Sequence, residues 1–175
     1  MKILGIKDEE FYEGMGKYFV QLAIDFGYQN LLLQLGRGIR DFYLNLDNLH
    51  DYLKFTFPKM KAPSFFIDTE NETQIMMQYR TRRRGFHFYV QGQVKELAKL
   101  LFGARGHPEK KLDCKLKKQE IVFDTAVFTY ELTFDNTDYI EFKKALEARK
   151  DTSMPIRAGT FFDMFPFCIL YEVRF

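Results

Sequence analysis

The sequence predicts an α+β domain in which several amphipathic helices accompany a four-stranded antiparallel sheet. Apolar residues recur at helical spacing through the first third of the chain, until Pro58 and Pro63 interrupt it. Runs rich in β-branched and aromatic residues follow at 64–67, 75–81 and 112–134, separated by polar turns and one further helical stretch. A hydrophobic content of 46% over 175 residues is enough for one globular core and a piece of another domain.

Asp8, Glu9 and Glu10 place carboxylates at the positive end of a first helix. That helix is expected to run to about Phe26 and stop at Gly27, with Phe11, Met15, Tyr18, Phe19 and Leu22 as its apolar face. A short helix is expected over 31–35, ending at Gly36, and a longer one over 38–56 with a bend near Asn45. Pro58 and Pro63 mark a loop. A strand at 64–67, a polar turn at 68–73 and a strand running from about Ile75 to Gly85 come next. Residues 85–102 read as a helix stopped by Gly103, with Phe86, Tyr89, Val90, Val94, Leu97 and Leu101 on its apolar side. Two more strands are expected at 112–118 and 121–134. Residues 135–155 are charged and weakly periodic, and read as a linker with some helix at 139–149.

The net charge of +2 is too small to point to nucleic acid. Cys114 and Cys168 are too few and too separated for a disulfide framework, and they lack metal-ligand spacing, which fits a reducing, cytoplasmic setting. No apolar run approaches the roughly eighteen residues of a membrane span, and the N-terminus carries no signal-peptide pattern. No Ser/His/Asp order, Gly-rich phosphate loop or paired metal ligands appear, so no catalytic residues are assigned. Twenty phenylalanines provide many flat apolar faces, which suit core packing first and a planar ligand second.

Two stretches carry chemistry. In the first, Phe42, Leu46, Leu49 and Leu53 form an apolar helical stripe, and His50 lies at its edge, four residues after Leu46. A neutral imidazole aimed into an apolar pocket is either a core histidine or an axial iron ligand. In the second, Tyr79, Thr81 and Arg83 share one face of a strand, and Arg80, Arg82 and Arg84 share the other. The first set offers three donors able to grip carboxylates or phosphates. A solvated basic edge and a nucleic-acid patch are the other readings of the arginines, but nucleic acid needs stacking aromatics on their face, and Tyr79 is on the opposite one. His87 and His107 read as surface groups. Tyr89 points inward from its helix, and from its position alone it reads as a core tyrosine bonded to some carbonyl.

Together these stretches resemble the haem–nitric oxide/oxygen-binding domain of soluble guanylate cyclases, beta-type subunits in particular. The resemblance extends to Gly14-Met-Gly-Lys-Tyr-Phe, Gly36-Arg-Gly-Ile-Arg-Asp-Phe and Phe57-Pro-Lys-Met-Lys-Ala-Pro63-Ser-Phe. It implies His50 as the proximal ligand of haem b (iron protoporphyrin IX) and Tyr79, Thr81 and Arg83 as the propionate grip, with Thr in place of the usual Ser. It places Pro63 against the haem face, with Phe42, Leu46 and Leu49 lining the pocket. It also sets Tyr89 near a distal tyrosine that in oxygen-binding relatives donates to bound oxygen.

The same resemblance implies an architecture and partners. Residues 1–135 would form the haem–nitric oxide/oxygen-binding domain without its N-terminal helices, leaving the distal helical part incomplete. Residues 136–155 would be a linker, and 156–175 would begin a PAS-like regulatory or dimerisation domain. The implied function is a haem-based sensor of oxygen or nitric oxide that regulates guanylate cyclase, a lyase making cyclic GMP, whose catalytic domain lies outside this chain. The implied partners are the gas and a second cyclase subunit, in a homodimer or heterodimer. A haem-free regulatory or dimerising subunit is the alternative.

Overall fold

The computed structural model describes Gly5 and residues 7–149. Its elements are α1 (Asp8–Asp25), α2 (Gln29–Gln34), α3 (Ile39–Thr56), β1 (Ser64–Glu70), β2 (Gln74–Thr81), α4 (His87–Ala104), β3 (Asp113–Val122), β4 (Thr125–Thr133) and α5 (Thr137–Arg149). The strands form one antiparallel sheet in the order β1-β2-β4-β3. This is the α+β class the apolar patterning indicates. The segment 156–175, expected to open a second domain, lies outside the described residues. The compact unit that carries the sheet runs to Ile140.

Period-two alternation gives the sheet a buried face. Ile75, Met77, Tyr79 and Thr81 of β2 point inward, as do Ala126, Phe128, Tyr130 and Leu132 of β4. They join Val90, Val94, Leu97, Ala98 and Leu101 of α4, and Ile39, Phe42 and Tyr43 of α3, in one core. The Asn71 side chain closes the β1–β2 turn by accepting the Thr73 and Gln74 N–H groups at 2.9 and 2.8 Å. β1 runs on to Glu70 through a bulge between Ile67 and Thr69. The break between β3 and β4 falls at Phe123 and Asp124, later than the polar 119–120 step expected for it. Phe123 sits there at φ 56, a conformation rare for a bulky side chain.

Helix α1 departs from its expected apolar face. It buries Gly16 and Val20, while Met15, Tyr18 and Phe19 stay exposed. A Cβ on Gly16 would lie 1.9 Å from the Tyr89 carbonyl oxygen, and one on Gly92 would lie 2.0 Å from that of Glu13. The α1–α4 contact is therefore a glycine-to-backbone approach. It selects the small-residue side of α1 over the aromatic side.

Candidate functional site

A cavity of about 370 Å³ opens between α1, α3, α4 and the start of the sheet. Phe42, Leu46 and His50 reach it from α3. Steps of four residues set these three on one helical row. Pro63 arrives from the loop after α3, Tyr79 and Thr81 from the end of β2, Arg83 from just beyond it, and Tyr89 from the first turns of α4. Eight of the nine residues singled out from the sequence thus meet around one space. Leu49 does not. It is half-buried on the neighbouring row of α3, one step of the helix away from His50, and it does not line the cavity. Phe19, Val20 and Ala23 of α1 complete the apolar wall; Phe19 belongs to the apolar face expected for that helix, and Val20 and Ala23 do not.

Burial lowers the pKa of His50, opposed by the Asp47 carboxylate and the Pro63 backbone. The imidazole is therefore neutral near pH 7 and keeps one lone pair free. Its Nδ1 stands 3.9 Å from Oδ1 of Asp47, and both atoms are buried without a hydrogen bond. Burial raises the pKa of Asp47, opposed by His50 and by the Phe65 backbone. Asp47 is a charged neighbour of the ring that sequence reasoning did not name, at a distance too long for a hydrogen bond. Its position three residues before His50, on the same side of the helix, was the available signal.

At the other wall, Thr81 Oγ1 accepts the Arg83 N–H at 3.0 Å, which fixes the turn that follows β2. Burial raises the Tyr79 phenol pKa, opposed by a hydrogen bond with Thr81 and by the charge of Arg83. β2 ends at Thr81, so strand alternation does not itself place Arg83 on the Tyr79 face. The turn brings its exposed side chain to the rim. Tyr89 is half-buried, packs edge-on to Phe86 and tilts against Phe19. Its hydroxyl makes no hydrogen bond among the described residues, so it is not a core tyrosine tied to a carbonyl.

His87 is not a surface group. It opens α4, its ring stacks on Phe128 at 5.2 Å and 15°, and its Nδ1 is buried without a partner. Its backbone carbonyl accepts the Tyr130 hydroxyl at 2.8 Å, which holds the ring over β4. It does not line the cavity. His107 is more exposed, with Glu109 and Asp138 at 3.5 and 3.6 Å. Arg80 faces away from Tyr79, as alternation requires. The face it occupies does carry an aromatic, because its guanidinium lies 4.3 Å over the Phe66 ring.

The residues present fit a haem. A neutral histidine with a buried, unbonded nitrogen faces an apolar space, the exposed Arg83 guanidinium stands at its edge, and the buried Tyr79 and Thr81 line it. Among the described residues no group of three or more His, Cys, Asp or Glu comes together, so His50 stands as a single imidazole.

Solved structures share this α+β fold. An oxygen-binding H-NOX domain related to soluble guanylate cyclases, in its oxygen complex, matches with TM-score 0.55 and 13% identity, over 72% of this chain and 61% of that one. A structure from work on the molecular mechanism of H-NOX activation matches with TM-score 0.59 and 13% identity, over 76% of this chain and 66% of that one. The Haem-NO-binding family matches residues 1–106, and the chain belongs to that family. Among its relatives, soluble guanylate cyclase gcy-33 of Caenorhabditis elegans is 35% identical over 99% of this chain. Soluble guanylate cyclase gcy-31 of the same organism is 33% identical over 97%. The chain spans 18% and 24% of the lengths of those two relatives. Among the described residues no helix is long and apolar enough to cross a membrane.

Proposed function

We propose that this chain is the haem-binding, gas-sensing part of a guanylate cyclase, acting with a second cyclase subunit in cyclic GMP signalling in the cytoplasm. The observation that carries this is the neutral His50 imidazole, buried at one wall of an apolar cavity whose rim bears Tyr79, Thr81 and Arg83. Haem b, when bound, supplies an iron at which oxygen or nitric oxide can bind.

The chain's own residues do the rest. The Asp47 carboxylate, 3.9 Å from Nδ1 of His50, favours the proton on that nitrogen through its charge, which would leave the Nε2 lone pair for a metal. Arg83, Thr81 and Tyr79 would hold the cofactor's two carboxylates, with the guanidinium supplying the charge. Phe42, Leu46 and Pro63 would shield the bound group from water. Tyr89 offers an uncommitted O–H donor to a polar diatomic ligand, which favours oxygen over nitric oxide. A displacement of His50 on ligand binding would be carried along α3. At its other end Gly38 abuts the Tyr139 ring, and Asp41 accepts the Tyr139 hydroxyl. Tyr139 belongs to α5, which continues toward the rest of the chain, so a shift of α3 has a route onward.

The test is a ferrous haem titration followed by absorption, before and after oxygen and nitric oxide. One haem per chain and a spectral change with gas are expected. No haem uptake would contradict this reading and favour a haem-free regulatory subunit.

A further inference from the structure

A second cavity, of about 480 Å³, lies on the outer side of the same rim, and its chemistry is different. Five cations line it: Lys54 from the end of α3, Lys61 from the loop, Arg80 from β2, and Arg82 and Arg83 from the turn beyond. The hydroxyls of Ser64 and Thr125 face it as well, and no carboxylate does. Lys54 is paired with Asp51 at 2.6 Å, and Arg82 lies 4.0 Å from Asp124, but these are exposed pairs that compete weakly with a bound anion. Among the described residues no carboxylate pairs with Lys61, Arg80 or Arg83. Like charges held together without counterions repel one another, and a polyanion relieves that repulsion.

The cavity also offers a flat surface. Phe66 is 41% exposed, and the Arg80 guanidinium covers its ring at 4.3 Å. Register sets this pair: Phe66 is opposite Gln78, and both share the outward face with Arg80. Two Gln78 contacts at 2.9 and 3.3 Å hold the guanidinium in place. A held guanidinium plane is a platform on which a nucleobase stacks. The cations come from four separate segments around a bounded space, which suits a compact polyanion better than an extended strand.

We propose that this outer cavity binds a nucleoside triphosphate, with the phosphates among Lys54, Lys61, Arg82 and Arg83 and the base against Arg80 and Phe66. Lys61 and Arg83 border both cavities, as do Met60, Ala62 and Thr81, whereas Lys54, Arg80, Arg82 and Phe66 line the outer one alone and carry its test.

The experiment is anisotropy of a fluorescent nucleoside triphosphate titrated with the chain, with unlabelled inorganic tripolyphosphate as competitor. Saturable binding is expected. Arg82→Ala, at an exposed position that lines the outer cavity alone, should weaken it about tenfold, the value of one charge-assisted hydrogen bond, and Arg80→Ala should weaken the nucleotide by removing the platform for the base. Phe66→Ala should weaken the nucleotide and leave tripolyphosphate unchanged, which separates base recognition from phosphate recognition. Three results would overturn the proposal: no saturable binding, binding indifferent to both Arg82→Ala and Arg80→Ala, or binding that only Lys61→Ala or Arg83→Ala removes and haem displaces. The last would assign the anion to the inner cavity. Tighter binding of a single-stranded oligonucleotide would overturn it in favour of nucleic acid. Haem uptake is read separately by absorption, so failure of either site is distinguishable from failure of the other.

Discussion

Asp47 stands one turn ahead of His50 on α3, with its Oδ1 3.9 Å from the imidazole Nδ1. Asp47 raises the His50 pKa, and burial lowers it by more. Asp47→Asn removes the raising charge, so the His50 titration midpoint falls further below its ordinary 6.5. Imidazole NMR across the pH range checks this, and a midpoint that rises would show that Asp47 does not act on the ring.

The same shift predicts a pH dependence of stability. The folded pKa of His50 is depressed, so between that value and the ordinary one the unfolded chain binds more protons. Stability then rises with pH through this window and is complete above the ordinary value. His87 is also depressed by burial and contributes the same sign. The His50 share is isolated by subtraction. Urea midpoints of the wild type should fall more steeply between about pH 7.5 and 5.5 than those of His50→Gln.

Glycines 14, 16 and 92 test the α1–α4 contact. A Cβ at Gly14 meets nothing within 4 Å, whereas those at Gly16 and Gly92 meet backbone oxygens at 1.9 and 2.0 Å. Gly14→Ala should stabilise by about 0.5–1 kcal/mol through helix propensity. Gly16→Ala and Gly92→Ala should each destabilise by about 1–3 kcal/mol, because backbone must move. Urea unfolding at unchanged m-value reads all three.

Tyr139→Phe removes the hydroxyl that Asp41 accepts and keeps the ring over Gly38. A loss of about 1 kcal/mol is expected by urea unfolding. In the haem-loaded protein the same change should loosen α5 without altering the absorption spectrum, which amide exchange over 137–149 reports. Unchanged exchange would remove Tyr139 from the route between α3 and α5.

Tyr89→Phe keeps the packing against Phe19 and Phe86 and deletes only an uncommitted O–H. Oxygen affinity of the ferrous haem protein should fall about tenfold while nitric oxide affinity stays the same. Equal loss for both gases would point to a packing role.

Most of this fold was legible because apolar period and element type coincide. The stripe that ends at His50 is a helix, and the alternation through Tyr79 and Phe128 is a sheet with a buried face. What was not legible depends on neighbours distant in sequence. The buried side of α1 is decided by Gly92, on a helix some seventy residues away, and no local period shows that. The β3–β4 turn has no glycine or asparagine, so Phe123 at φ 56 gives no warning. His87 looked like a surface residue because its stacking partner, Phe128, comes from β4. Leu49 looked like a lining residue because the apolar stripe is wider than the 42–46–50 row that faces the cavity.

The most direct measurement is the absorption spectrum of ferrous haem protein in wild type and His50→Gly, with and without added imidazole. The account predicts that His50→Gly loses the histidine-ligated spectrum and that free imidazole restores it, since the variant leaves the neighbouring Asp47 carboxylate and the Tyr79, Thr81 and Arg83 side chains in place. A His50→Gly spectrum identical to wild type would contradict the assignment of His50 as the iron's ligand.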